Sequence, residues 1–303
     1  MKTPPFLAAA LSCATALLFA AQAQACACGC SVFNVGQRWG MPTHSGFSAS
    51  LQYSFMNQSE NWHHSSKADA SLNEDKDIRT HFVTLGARYM ISRSWGVVAK
   101  LPVWDRYLKT TDDSGNIVSA EHLSLSDATL MGLFTGLSDD MSTGLELGVK
   151  LPTGPHHLSG FDPDTQPGYG STSVVAGAYH QGQQHDWGWW VQGMLRAALY
   201  TNDGYRPGNS YNISAGGHYD GLSDYLIIPT LNLVGSVRGH DGGAQGDPDN
   251  TGYVRFFAAP GLELDITHAL GIYGEFEIPV YTHTTGNQLV APWLVNATVS
   301  YKF

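Results

Sequence analysis

Charged residues and long apolar runs are both scarce in this sequence. Only 14% of its 303 residues are charged, whereas 43% are hydrophobic. Apart from residues 7–21, no stretch approaches the roughly 20 consecutive apolar residues that a transmembrane helix needs. The sequence therefore predicts no helical membrane span, and its hydrophobic residues must follow another pattern.

Motifs of familiar catalytic chemistry are also lacking. The sequence holds no G-x-S-x-G nucleophile elbow and no H-E-x-x-H metal motif. We therefore expect a protein that is not an enzyme. The net charge of −10 gives no support for nucleic-acid binding, so nucleic acid is not an expected partner.

The single apolar run belongs to a secretory signal peptide at residues 1–25. Lys2 supplies the positive n-region, residues 7–21 form the apolar core, and an A-x-A cleavage site ends at Ala25. Cleavage there makes Cys26 the first residue of the mature chain, so we expect the remainder to be exported.

The exported part is poor in cysteine, with a single C-x-C-x-C motif formed by Cys26, Cys28 and Cys30. No disulfide can therefore staple the rest of the chain. Thiolates select Cu(I), zinc or iron–sulfur centres. Because zinc sites usually have wider spacings, the motif favours copper, or a site shared with a periplasmic redox or metal-carrier protein. A disulfide between two of the three thiols and lipidation of Cys26 are the alternatives.

Histidine, in contrast, is frequent. Thirteen histidines occur, including the adjacent pairs His63-His64 and His156-His157, which fall in segments rich in Gly, Asp, Asn and Ser. Such pairs could gather a divalent metal. Solvated loop residues are the simpler interpretation, because no catalytic metal spacing accompanies them.

The dominant pattern in the sequence is a two-residue alternation of apolar and polar side chains. Side chains point to opposite faces of a strand in turn, and a tilted strand of about this length spans a bilayer. In the last stretch, residues 292–303, Trp293 and Tyr301 lie near opposite ends of the apolar face, where aromatic girdles occur. The apolar face of this stretch consists of Trp293, Val295, Ala297, Val299, Tyr301 and Phe303.

Similar alternating stretches recur through the chain and give about twelve strands, an even number as in single-chain bacterial barrels. They lie near residues 47–55, 79–91, 94–104, 124–135, 141–151, 172–182, 187–200, 209–219, 225–238, 252–266 and 268–280. Short connections alternate with long ones, as periplasmic turns alternate with extracellular loops. The long connections cover roughly residues 57–78, 105–123, 152–171, 201–208, 239–251 and 281–291.

These features predict an all-β fold, a transmembrane antiparallel up-and-down β-barrel over residues 47–303. The expected location is the bacterial outer membrane, with the lipid bilayer as a partner, because lipid leaves no backbone group unpaired except in a helix or a closed cylinder. Residues 26–46 are expected to form a short Cys-containing periplasmic segment that could enter the barrel as a plug.

Charged residues of the strands fall on the face that the alternation turns inward. An Arg or Lys facing lipid at mid-membrane costs about 2–4 kcal/mol, so an inward orientation is preferred. These side chains are expected to act either as an ion-pair network that braces the lumen or as a polar filter. The predicted lumen-facing residues are Arg88, Lys100, Asp127, Glu146, Lys150, Arg196, Arg255, Glu263, Glu275 and Glu277.

Three short segments resemble a known family of outer-membrane barrels. They are Lys-Leu-Pro-Thr-Gly at 150–154, Pro-Gly-Leu-Glu at 260–263, and the Pro-Trp…Tyr-Lys-Phe ending at 292–303. The chain resembles the "MetA-pathway of phenol degradation" transporter-like family. The resemblance implies passive passage of a small solute, an aromatic compound or a metal species. A barrel scaffold that binds copper through its Cys motif is the alternative, and an outer-membrane hydrolase is a weaker one.

Overall fold

The computed structural model describes residues 41–112 and 114–303. Its strands in chain order are β1 (Gly46–Gln58), β2 (Glu60–His64), β3 (Ser66–Lys67), β4 (Asp77–Met90), β5 (Trp95–Thr111), β6 (Ile117–Leu125), β7 (Thr129–Phe134), β8 (Thr143–Lys150), β9 (Ser173–Gln184), β10 (Trp187–Ala198), β11 (Ser210–Tyr219), β12 (Ile227–Arg238), β13 (Tyr253–Asp265), β14 (Leu270–Val290) and β15 (Leu294–Lys302). Two short 3-10 helices span Ala70–Leu72 and Asp220–Tyr225. Among the described residues, no helix is long and apolar enough to cross a membrane.

Twelve of the described strands form one closed antiparallel barrel. Around the barrel the order is β1, β4, β5, β7 to β13, β14 and β15, and β15 pairs again with β1. The remaining strands extend the sheet at one end, since β6 pairs with β5, and β2 pairs with β14 and β3. The predicted all-β, up-and-down barrel is therefore confirmed.

The alternation sorts side chains between an outer and an inner face as expected. On β8, Leu145 and Leu147 are 46% and 65% exposed, whereas Glu146 between them is 7% exposed. On β15, Val299 and Tyr301 are exposed, and Ser300 is buried. A closed barrel with an apolar outer band is built for a bilayer, and the chain is a β-barrel of the outer-membrane type.

Aromatic side chains cluster at both ends of the outer surface. At the end with short turns, the rings of Trp95 and Phe134 lie 4.7 Å apart between their centroids. At the other end, the Trp293 ring lies 5.6 Å from both Phe55 and Phe276. Such girdles mark the two membrane–water interfaces, and the long loops define the extracellular end.

Two predicted boundaries on β5 to β7 are wrong. The expected loop at 105–123 is largely strand, because β5 and β6 rise above the barrel as a hairpin. The hairpin lies outside the bilayer, so it lacks the continuous apolar outer face of a membrane-spanning strand and its sequence resembles that of a loop. Its inner face is partly covered, because Arg106 and Leu108 are buried. The expected strand at 124–135 is interrupted between β6 and β7, where the Ser126 N–H donates to the Pro102 carbonyl at 2.8 Å.

Candidate solute site in the barrel lumen

The charged residues that the alternation assigns to the lumen are withdrawn from solvent. Lys100, Lys150 and Arg196 are half-buried. The others are buried: Arg88, Asp127, Glu146, Arg255, Glu263, Glu275 and Glu277. They divide between two parts of the wall: Arg255, Glu263, Glu275 and Glu277 lie on β13 and β14, and the others on the strands from β4 to β10 or next to them.

Glu275 and Glu277 on β14 lie on one side and receive hydrogen bonds from neutral groups. The Asn296 side-chain amide donates to Glu275 at 3.1 Å and to Glu277 at 2.6 Å. The Tyr273 hydroxyl donates to Glu275 at 2.7 Å, and Ser54 donates to Asn296 at 2.5 Å. This part of the wall is braced by hydrogen bonds from amide and hydroxyl groups.

An apolar arc covers half of the inner wall above these carboxylates. It consists of Met56, Phe82, Trp104, Val234, Phe257, Ala291 and Leu294, all of them buried. Five strands separate β5 from β12 in either direction around the barrel, so the two strands are diametrically opposite. The arc from Trp104 on β5 to Val234 on β12 therefore fills the interior of one half of the barrel, with Ala291 contributed by the β14–β15 connection.

A cavity of about 110 Å³, which we call the lumen cavity, lies mainly against the other half of the wall and reaches β1 and β4. Phe82 and Trp104 at the edge of the apolar arc form part of its wall. Its polar wall includes Lys100, Lys150 and Arg196. Because three cations and two large aromatic rings surround a small volume, the cavity is suited to an aromatic group with an electron-rich substituent.

Tyr169 places a third aromatic ring in this wall, between two of the cations. The Lys150 ammonium lies 4.4 Å and the Arg196 guanidinium 5.2 Å from the ring centroid. Arg196 also donates from Nε to Ser210 Oγ at 3.3 Å and from Nη2 to the Gly208 carbonyl at 3.1 Å. Its Nη1 atom is buried and has no hydrogen-bond partner among the described residues. One guanidinium donor is thus left for another acceptor.

Asp127 fastens the extracellular loop at residues 151–172 to the cavity wall. Its carboxylate accepts the Gly154 N–H at 3.2 Å and the Tyr169 N–H at 3.1 Å, near the two ends of that loop. Lys150 Nζ lies 3.6 Å from the same carboxylate, which is 1% exposed. Asp127 therefore offsets the charge of Lys150, and the charges of Lys100 and Arg196 in the cavity wall remain.

Replacing Asp127 by Ala is expected to release this loop. The change leaves two backbone N–H groups and the Lys150 ammonium without their acceptor, and breaking a buried ion pair costs about 3–5 kcal/mol. Hydrogen exchange should become much faster at 151–172, and single-channel current should fluctuate more. Asp139→Ala, at an exposed periplasmic turn, is the control. Unchanged protection of the loop would show that Asp127 does not hold it.

Apolar packing and a buried arginine hold the same loop in the barrel mouth. Phe161 packs with Ile78, Leu108 and Leu289, which are all buried. Arg106 is fully buried and donates to the Thr165 carbonyl at 2.5 Å. The loop at 151–172 therefore covers the lumen from the outside.

Two carboxyl groups at the covered mouth, Asp75 and Asp164, have raised pKa values. Burial, and secondarily the charge of Asp162, raise the pKa of Asp75 to about 7. Burial, followed by the charges of Asp162 and Asp241, likewise raises the pKa of Asp164 well above its usual range. With the mouth packed, Asp75 and Asp164 therefore keep protons that solvated carboxyl groups would release.

The mouth should loosen as pH rises through 7. The ordinary pKa of 3.8 for Asp75 lies below the folded value of about 7, so between these values the packed state binds the extra proton. This stabilisation is present in full at low pH and is lost as pH rises through the folded pKa. Conductance should be larger at pH 8.5 than at pH 5.5, and Asp75→Asn should reduce the difference. An equal pH response in that variant would contradict this role for Asp75.

The periplasmic mouth is occupied by the described end of the N-terminal segment. Met41 packs against Tyr179 and Trp190, which face the interior from β9 and β10. The Gln181 side-chain amide donates to the Pro42 carbonyl at 3.4 Å. Residues 26–40 lie outside the described residues, so a plug formed by residues 26–46 stays a prediction.

The Cys motif is likewise outside the described residues. The structure therefore gives no geometry for Cys26, Cys28 or Cys30. A copper site there, and docking of a periplasmic redox or metal-carrier protein, stay predictions.

Sequence reasoning missed the aromatic and apolar part of the lumen. Met56, Phe82 and Trp104 occupy inward positions, in the same phase as the polar residues Ser54 and Thr84. Apolar residues out of phase with the lipid face are the signal that could have identified them. Tyr169 has no such signal, because its position depends on the folding of a loop.

The barrel and its partly filled lumen define a class of protein, the outer-membrane β-barrels. The chain is similar to the COG4313 outer membrane channel from Pseudomonas putida F1, with a TM-score of 0.69 and 12% identity over 89% of this chain and 100% of that one. It is less similar to the CymD monoaromatic hydrocarbon channel, with a TM-score of 0.47 and 10% identity over 86% and 89%. For the Beta domain of the Bordetella autotransporter BrkA, the TM-score is 0.49 and the identity 13% over 86% and 100%.

At these identities the similarity establishes the fold alone. No protein-family model and no curated protein sequence matches the chain. The resemblance to the phenol-degradation family therefore stays a prediction.

Proposed function

We propose that the protein is a passive outer-membrane channel for small aromatic solutes that carry a carboxylate or another anionic oxygen. The observation that carries the proposal is the wall of the lumen cavity, in which the cations Lys100, Lys150 and Arg196 stand beside the rings of Phe82, Trp104 and Tyr169. The Nη1 atom of Arg196 is in addition buried without a hydrogen-bond partner among the described residues. A buried donor without a partner costs about 1–3 kcal/mol, and more when it is charged. A solute oxygen that meets Nη1 after the Arg196 side chain turns toward the cavity relieves that cost.

The remaining cavity wall supports the aromatic part of the solute. Phe82 and Trp104 pack edge to face, with ring centroids 5.1 Å apart, and offer apolar surface to a planar ring. Offset and edge-to-face contacts between aromatic rings contribute about 0.5–1.5 kcal/mol beyond burial. Moderate affinity of this kind suits a channel, because a solute must be able to leave as well as enter.

Charge selects among aromatic solutes. Lys100, Lys150 and Arg196 face the cavity. Among the described residues its wall contains one carboxylate, Asp127, which is bound by Lys150 and two backbone N–H groups. The balance favours anions, because cationic groups in a narrow polar wall attract them and repel like charge.

Flux measurements in protein-containing liposomes test this proposal. Benzoate and benzylammonium have similar size and opposite charge, and glucose is a neutral reference. We expect benzoate to enter fastest and benzylammonium to be slow. Equal rates for the two aromatic ions would contradict anion selection, and the absence of flux for all three solutes would contradict a channel.

A further inference from the structure

A cluster of metal-ligating side chains lies at the extracellular end, on loops that the proposed solute path does not use chemically. His156 and His157 belong to the loop at 151–172, and Asp203 lies in the connection between β10 and β11. The Nε2 atoms of His156 and His157 lie 3.5 Å and 3.1 Å from the same oxygen, Asp203 Oδ2. The donor atoms of all three residues lie within 4.8 Å of one another.

These separations suit a single small cation. Zinc binds His nitrogen at about 2.0–2.1 Å and carboxylate oxygen at about 2.0–2.2 Å in tetrahedral geometry. Two donors of a tetrahedron with such bond lengths are roughly 3.3–3.5 Å apart, from the same distances. The two His–Asp separations of 3.5 Å and 3.1 Å are close to these values. The donor atoms of the two imidazoles lie within 4.8 Å of each other, so rotation of the exposed His157 side chain completes the geometry.

The carboxylate is held in place by a tight turn. Asp203 and Gly204 both have positive φ, +46° and +79°. Asn202 and Tyr205 exchange backbone hydrogen bonds of 2.9 Å and 2.8 Å across them, as in a two-residue hairpin turn. The Asn202 amide also donates to Asp203 Oδ2 at 2.8 Å. Such a second partner for a ligating carboxylate orients it toward the metal.

The imidazole side of the cluster is positioned by a close backbone approach. Gly170 has φ of +64°, and a Cβ built there would lie 2.8 Å from Cδ2 of His156. The loop backbone therefore passes directly against this ring. The two His rings themselves lie 4.2 Å apart between centroids. The donor set is thus assembled from two loops that pack together before any ion binds.

We propose that His156, His157 and Asp203 form an extracellular site for a divalent transition metal of the zinc, nickel or copper(II) class. Imidazole and carboxylate together suit these ions. Asp203 and His157 are more than half exposed, with side-chain exposures of 56% and 69%, so the fourth coordination position is open to water. A bound ion ties the loop at 151–172 to the turn at Asp203 across the mouth. This site is independent of the proposed solute.

Another His cluster at the same end of the barrel provides a matched control. His63, His64 and His283 lie close together, with ring centroids 4.3 Å and 5.5 Å apart along the series. This second cluster is not among the described groups whose donor atoms converge on a possible metal position. Removal of His63 and His64 therefore controls for loss of surface imidazoles.

Zinc titration by calorimetry tests the site in the detergent-solubilised full chain. The three mature thiols are first replaced (C26S/C28S/C30S), because they would bind zinc themselves. In this background we expect a single zinc ion per chain. The H156A/H157A double variant should lose it, and D203N should bind it at least tenfold more weakly. N202A should weaken binding by about 10–100-fold, as for other partners of ligating groups.

The control variant H63A/H64A decides between a built site and non-specific imidazole binding. It should retain the affinity of the background protein, and heat-modified gel mobility should show that all variants are folded barrels. Zinc binding that survives in folded H156A/H157A would overturn the proposal. Equal losses in H156A/H157A and H63A/H64A would overturn it as well.

Discussion

Replacing Arg196 by Gln is expected to lower benzoate flux by about tenfold or more, since a hydrogen bond to a charged group contributes about 1.5–3 kcal/mol. The variant keeps a polar, although shorter, side chain and lacks both the positive charge and the buried Nη1 donor, which has no partner among the described residues. Flux of glucose should not fall, because the shorter side chain does not narrow the lumen cavity. The measurement is solute entry into liposomes that contain matched amounts of protein.

Arg93→Gln is the matched control for this result. Arg93 lies at an exposed periplasmic turn and donates to the Asp139 carbonyl, away from the lumen cavity. Its loss removes one positive charge without altering the cavity wall. If Arg196→Gln and Arg93→Gln lower benzoate flux equally, the effect reflects net charge and the proposed role of Arg196 is wrong.

Replacing Trp104 by Ala is expected to raise conductance several-fold. Trp104 is 4% exposed, packs on Phe82, and lies where the apolar arc meets the lumen cavity. Removal of its indole joins the space it occupied to the cavity. Loss of a buried Trp also costs about 3–5 kcal/mol of stability, so thermal unfolding should occur at a lower temperature. Single-channel recording in planar bilayers measures the conductance.

Trp95→Ala separates the effect on the lumen from a general effect of losing tryptophan. The Trp95 side chain is 59% exposed on the outer surface, near the periplasmic interface. Its loss should leave conductance unchanged. A Trp104→Ala barrel that is folded but conducts like the parent would show that the solute path does not pass the apolar arc.

The wall of the barrel could be predicted because its determinants are local. On β15, Val299 and Tyr301 face outward and Ser300 inward, as a period of two requires. The burial of Glu146 between two exposed leucines follows from the same rule. Each of these positions depends on its immediate neighbours in sequence and on the high cost of a charge in lipid.

The contents of the lumen could not be predicted in the same way, because they depend on distant contacts. Arg106 donates to the carbonyl of Thr165, 59 residues away, and Asp127 accepts from the N–H of Tyr169, 42 residues away. No periodic pattern encodes the inward folding of the loop at 151–172. For the same reason, the proximity of His156 and His157 to Asp203 is visible only in the folded chain.

The most direct test of a solute path through the lumen cavity is site-specific blockade. In the C26S/C28S/C30S background, a single Met194→Cys change places a thiol in the cavity wall, and Ser114→Cys places one at the exposed tip of the β5–β6 hairpin. Both proteins are treated with a small anionic thiosulfonate, labelling is quantified by mass spectrometry, and benzoate flux is measured before and after. Complete labelling of the Met194→Cys variant should nearly abolish flux while labelling of the Ser114→Cys variant leaves it unchanged. Undiminished flux through fully labelled Met194→Cys protein would contradict a path through this cavity.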